Sequence, residues 1–116
     1  GLTARSGSAD AVETRARWDE RWCTTGGVMH GGFLMAMADA TGAVCAVFNL
    51  PAGAITSTIE SKTNFFRPVV EGVLTATATP VHTGRTTIVV QTDITRGDGK
   101  LASRTVQTQA VIRTGT

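Results

Sequence analysis

Between Arg21 and Glu60 the sequence holds a single charged side chain, Asp39, set among Met35, Ala36, Met37, Ala38, Ala40 and Val44. A carboxylate in such surroundings must be hydrogen-bonded or paired, or else its pKa rises. A group of this kind is suited to taking a proton from water or to attacking a carbonyl carbon itself. The plainer reading, a solvent-facing position or a structural hydrogen bond, stands beside it. Gly31 and Gly32 lie upstream at the expected start of the same helix. There, free backbone N–H groups and the positive end of the helix dipole can polarise a carbonyl oxygen.

The eight residues from Gly31 to Asp39 correspond to a helical rise of roughly 12 Å. One reacting carbonyl cannot touch both ends of such a segment, so the spacing predicts that Asp39 serves the Gly31 of a second subunit. His30 is read either as a helix-start residue or as a base. No serine stands in a G-x-S-x-G turn, and neither Cys23 nor Cys45 has a neighbouring partner that would mark a nucleophile. His30 and His82 are too isolated to predict a metal site.

The 116 residues fit one domain with a modest core, which oligomerisation would enlarge. The net charge of +2 arises from 11 basic and 9 acidic residues with no basic run and few aromatics, which speaks against nucleic-acid binding. Two cysteines make no disulfide framework, and the expected location is a reducing cytoplasm. The apolar stretch from Phe33 to Leu50 contains Asp39 and is read as a core segment, with no membrane partner expected. Residues 1–9 are read as a flexible N-terminal tail with no signal-peptide pattern, and residues 10–116 as the single domain.

The elements that must carry these residues follow from periodicity. Val12, Thr14, Ala16 and Trp18 alternate with charged residues, which predicts a strand over Ala11 to Trp18. Thr24 to Gly27 reads as a loop. His30 to Asn49 is apolar nearly all the way round and predicts a central helix covered on every side, ended at Leu50-Pro51-Ala52-Gly53. Four strands are expected after it, over Ile55 to Arg67, Val73 to His82, Thr86 to Thr95 and Leu101 to Arg113, the last pair joined by an Asp98-Gly99 turn. The fold class is therefore α+β, an antiparallel sheet around one long helix.

Gly27 to Gly32 followed by Phe33 to Asp39 resembles the signature of phenylacetate-degradation type (PaaI-like) hotdog thioesterases. Asn64 to Pro68, His82 to Arg85 and Asp98 to Ala102 extend the resemblance, which covers roughly residues 12 to 112. It implies hotdog subunits joined edge to edge into a homodimer, often paired again as a dimer of dimers, hydrolysing acyl-CoA between protomers. No cofactor is implied beyond the coenzyme A carried by the substrate. By position, the Gly31 N–H forms the oxyanion hole with Gly32 beside it, Asp39 of the facing subunit acts as base or nucleophile, His30 orients the thioester and Thr58 holds the attacking water. Thr24 stands where many members have Asn or Gln. Arg67 and Arg85, the latter beside Gly84, are candidates for the CoA phosphates, and Phe65, Phe66 and Met35 for the acyl pocket. Two other readings stand beside it. A non-catalytic acyl-CoA binder is suggested by Thr24 alone, and a hydratase or dehydratase is weakened by the lack of an Asp-x-Asn-Pro-x-x-His segment.

Overall fold

A computed structural model describes residues 2–114 of the chain. In chain order it contains β1 (Thr3–Gly7), β2 (Val12–Arg17), short 3₁₀ turns at Glu20–Trp22 and Thr25–Gly27, the helix α1 (Gly31–Phe48), β3 (Ala54–Phe65), β4 (Val73–Thr83), β5 (Thr87–Thr95) and β6 (Leu101–Arg113). All six strands form one antiparallel sheet in the order β1-β2-β4-β5-β6-β3. The helix crosses its inner face and touches every strand.

The alternation in β2, β4 and β5 puts Val12, Ala16, Leu74, Ala76, Ala78, Ile88, Val90 and Ile94 beneath the helix. Short side chains at Ala76 and Ala78, clustered with Ala38 and Ala46 of α1 respectively, allow the helix to lie close to the sheet. The β5–β6 hairpin turns at Gly99, whose φ of 82° is open to glycine at little steric cost. Asp98 caps this turn by accepting hydrogen bonds from Lys100 N and the Arg96 guanidinium. That charged contact holds its carboxyl down at about 2.

The core is split in two. One apolar cluster includes Leu34, Met37, Leu74 and Ile94, and the other Val12, Cys45, Ile88 and Val90. Between them Thr14, Thr41, Thr92 and Gln107 make a buried polar belt across β2, α1, β5 and β6. Thr41 donates its hydroxyl proton to Met37 O at 2.7 Å, so Thr14 is the donor in the 2.7 Å Thr14–Thr41 bond. Thr92 Oγ1 and Gln107 Oε1 have no partner among the described residues. Each such orphan typically costs about 1–3 kcal/mol.

Three expectations need correction. The segment read as a flexible tail contains β1, which pairs with β2 through a register shift between Ala4 and Ser6. Its residues are exposed throughout, so no apolar alternation announced it. Gly1, Gly115 and Thr116, the outermost residues of the two expected segments, lie outside the described residues. The helix is not covered on every side: Met35, Val44 and Val47 are exposed, and Phe48 is half exposed with its ring against Gly7 of β1. By length and hydropathy α1 would also meet the threshold for a membrane span, contrary to the reading of that stretch as too interrupted. Here it is packed on a sheet along one face.

Candidate active site

The chain approaches α1 through a loop anchored by backbone and indole hydrogen bonds. Trp18 Nε1 donates to Gly27 O at 2.9 Å, Thr24 N to Val28 O at 2.7 Å and Met29 N to Val69 O at 2.9 Å. Gly26 and Gly27 both take positive φ to make the turn. Trp22 stacks on Phe33, the third residue of the helix, with ring centroids 5.4 Å apart. His30 then caps the helix with φ −57° and ψ 136°, its carbonyl accepting from Phe33 N and Leu34 N. The N–H groups of Gly31 and Gly32, the first two helical residues, have no carbonyl to reach within the helix.

Against this helix start lies a cavity of about 400 Å³, lined by Thr24, Val28, Met29, Gly31, Leu34 and the segment Phe65 to Val69. It brings together three of the expected residues: Thr24, Gly31 and Arg67. Phe65 and Phe66 line it as expected, whereas Met35 does not. A Cβ on Gly31 would come within 3.0 Å of Phe65 Cζ, so glycine keeps the N–H accessible beside the ring. Arg67 also donates from Nη1 to Leu101 O at 2.8 Å. His30 is exposed, makes no side-chain cap and is not among the lining residues, and Gly32 faces open space.

Asp39 is elsewhere. It takes no part in lining that cavity, and in the single chain it is exposed on the flank of α1 that borders β3 and β6. Its Oδ1 accepts from Thr58 Oγ1 at 2.9 Å and from Gln107 Nε2 at 3.0 Å. The carboxylate is thus held by hydrogen bonds at the rim of the sheet rather than by burial. Sequence reasoning missed Gln107. The available signal was the unbroken run of polar side chains at alternate positions of β6, Ser103, Thr105, Gln107 and Gln109, all of which face the helix.

Gly84 and Arg85 are in the β4–β5 turn, where Gly84 N donates to Thr87 O and Arg113 Nη1 to Arg85 O at 2.9 Å. Arg67 is bonded to Leu101 at the start of β6, and Arg85 to Arg113 at its end. Those 12 steps of strand correspond to about 40 Å. A single protomer therefore keeps Arg67 and Arg85 at opposite ends of the sheet. Burial pushes the Cys23 and Cys45 thiols up, opposite to what a nucleophilic thiolate requires, and both cysteines are free.

The thioesterase superfamily model matches residues 26–103, from the glycine turn through α1 into β6. A Haemophilus influenzae thioesterase of known structure is 30% identical and superposes with a TM-score of 0.93, covering 99% of this chain and 80% of its own. A Ralstonia eutropha protein, provisionally named a thioesterase and described as related to phenylacetic acid degradation, is 28% identical with a TM-score of 0.88 over 95% of this chain and 84% of its own. A hypothetical thioesterase of Streptococcus pneumoniae, solved with coenzyme A, is 24% identical and shares the fold at a TM-score of 0.88 over 98% of this chain and 89% of its own. The helix on a six-stranded antiparallel sheet is the hotdog arrangement that the sequence resemblance implied, and the chain belongs to the thioesterase superfamily.

Proposed function

We propose that this chain hydrolyses acyl-CoA thioesters to a carboxylic acid and free coenzyme A in sites shared between two copies of itself. One observation carries the reading: the cavity at Gly31 offers a backbone N–H but is lined by no carboxylate, and Asp39 of the same chain does not reach it. Each protomer holds half of the chemistry. The Streptococcus pneumoniae neighbour that contains coenzyme A, and the arginine at the cavity, support CoA as the carrier.

The two sheet edges support the assembly. β1 is a five-residue, bulged edge whose strand carries Arg5, the kind of edge that resists pairing. β3 is a twelve-residue edge with exposed Ile55, Ile59 and Phe65; its own register shift, between Thr58 and Glu60, leaves a long regular stretch from Glu60 to Phe65. An antiparallel β3–β3 pairing about a two-fold axis would extend the sheet across both chains. Asp39 is bonded to Thr58, and Gly31 abuts Phe65. For one chain's Asp39 to meet its partner's Gly31, Thr58 must lie opposite Phe65, which puts the axis near Ser61 and Lys62. The same register brings Ala54, and with it the Arg113–Arg85 corner, to the Arg67 end of the other chain. Two arginines distant within one chain then flank one cavity mouth.

In the water route, Asp39 takes a proton from a water as its oxygen bonds to the thioester carbonyl carbon, and the Gly31 N–H stabilises the oxyanion. The tetrahedral species collapses by breaking the C–S bond, and the thiolate takes the proton back from Asp39. In the covalent route the carboxylate attacks first, expelling the thiolate, and water then hydrolyses the acyl-aspartyl anhydride. Both use the same atoms. Incubation with short-chain, medium-chain and aromatic acyl-CoAs, following free thiol, tests the reading. Thiol release that persists unchanged in Asp39→Asn contradicts the mechanism. Tight CoA binding with no release from any thioester supports a non-catalytic binder instead.

A further inference from the structure

We propose that Gln107, buried beneath the helix and remote in sequence, is the positioning residue that fixes which oxygen of Asp39 reacts. The inference rests on Asp39 as the catalytic carboxylate. Asp39 Oδ1 accepts two hydrogen bonds, from Thr58 Oγ1 and Gln107 Nε2, whereas Oδ2 accepts none among the described residues. An oxygen whose lone pairs are engaged by two donors is the weaker base and nucleophile. Oδ2 is therefore the oxygen presented to water or thioester, and the two donors set its direction.

The two donors differ in rigidity. Thr58 is an exposed side chain on an edge strand. Gln107 is fully buried on β6, inside the sheet, and its amide is clamped. Its second N–H points to Gln109 Oε1 at 3.4 Å, and Gln109 in turn points to Thr56 Oγ1. On its other side α1 carries Gly42, where a Cβ would collide with Gln107 Oε1. The glycine is thus the space into which the amide fits, and this requirement explains a helix-interior glycine that propensity disfavours. The Nε2 must face Asp39, because the reverse orientation would set a carbonyl oxygen against a carboxylate.

A purely structural role accounts poorly for this side chain. Gln107 Oε1 is buried without a hydrogen-bond partner. For stability alone, an apolar side chain of similar volume would leave no such orphan. What the amide supplies, and methionine would not, is one donor aimed at Asp39.

The test uses Gln107→Met and Gly42→Ala, the second of which displaces the amide without altering either hydrogen-bonding residue. Turnover is measured on the best acyl-CoA of the panel, with melting temperature and oligomeric state as controls. We expect kcat to fall about 10- to 100-fold in each variant, the scale of a small misplacement of a reacting group. KM should stay within about twofold, because neither residue lines the cavity. The double variant should lose no more than Gln107→Met alone, since both act through one hydrogen bond. A folded Gln107→Met with wild-type kcat, while Asp39→Asn is inactive, overturns the positioning role and leaves the proposed function standing. An active Asp39→Asn overturns both. Should Gln107→Met fail to fold, Gly42→Ala decides: wild-type kcat in that variant, or a change confined to KM, also overturns the role.

Discussion

The first turn of α1 and the turn that carries Asp39 differ in nearly every respect. The first turn is built from backbone: glycine N–H groups, a cavity of about 400 Å³ and a loop tied down by main-chain hydrogen bonds. The second is built from side chains: a carboxylate held by Thr58 from the sheet edge and by Gln107 from its interior. In the proposed reaction the first would bind a carbonyl oxygen in the same way whatever acyl group is attached. The second must orient one oxygen atom. Their separation of roughly 12 Å along a rigid helix means that a single chain keeps them apart, which is why the proposed site draws on two chains.

The sharpest way to break this contrast is Asp39→Asn. The amide oxygen still accepts from Thr58 and Gln107, so folding should persist, while kcat should fall about 100- to 10,000-fold, the range for removal of a positioned base. Thiol release from the best substrate measures it. Next comes Gly31→Pro, which deletes an N–H at the first helical position, where proline is tolerated. Because any Cβ there comes within 3.0 Å of Phe65 Cζ, Gly31→Ala, which keeps the N–H, is its control and should lose much less activity. His30, at φ −57° and ψ 136°, already has the conformation that a residue before proline requires. We expect about a 100- to 1000-fold loss of kcat with α1 intact by circular dichroism.

Smaller effects sharpen the contrast. Arg85→Ala should raise KM for acyl-CoA about 3- to 10-fold, with kcat unchanged and less sensitivity of KM to salt, because an exposed arginine steers and holds a phosphate without touching the carbonyl. The 96–99 turn belongs to neither region and gives the smallest effect. Asp98 titrates at about 2 in the folded chain, mainly through the Arg96 side chain, below its ordinary 3.8. A lowered carboxyl pKa stabilises the fold above the ordinary value, and that contribution is lost as pH falls through about 2. Asp98→Asn should therefore lower Tm slightly at neutral pH, and the difference should vanish near pH 2 with activity at neutral pH unaffected.

Much of the frame was legible in the sequence because its signals are local. β2 announces itself through period-two alternation, β3 to β6 through runs rich in Thr, Val, Ile or Phe between short turns, and Asp98-Gly99 marks the last hairpin. β1 was not legible, since every one of its residues is exposed and its pairing is by backbone alone. The helix was read as covered on all sides because apolar composition does not distinguish surface packed on the chain's own sheet from surface open in a single protomer. Met35, Val44 and Val47 belong to the second kind. Asp39 stood out through its isolation, but the source of its support did not: Gln107 is 68 residues away and meets it only through the order of strands in the sheet. Arg67 and Arg85 stood out as candidates by the turns they adjoin, but their placement at opposite ends of β6 follows only from the strand order.

The central claim, that the Gly31 of one chain works with the Asp39 of another, is tested by mixing two inactive variants. Asp39→Asn and Gly31→Pro are co-refolded or co-expressed in equal amounts and thiol release is compared with that of each alone. In a mixed dimer one site then has both variant residues and the other has neither. Random pairing should therefore restore about one quarter of wild-type activity. If both residues served a site within one chain, every site in the mixture would carry one variant residue, and activity no greater than that of the separate variants, with mixed dimers shown to form, would contradict the account.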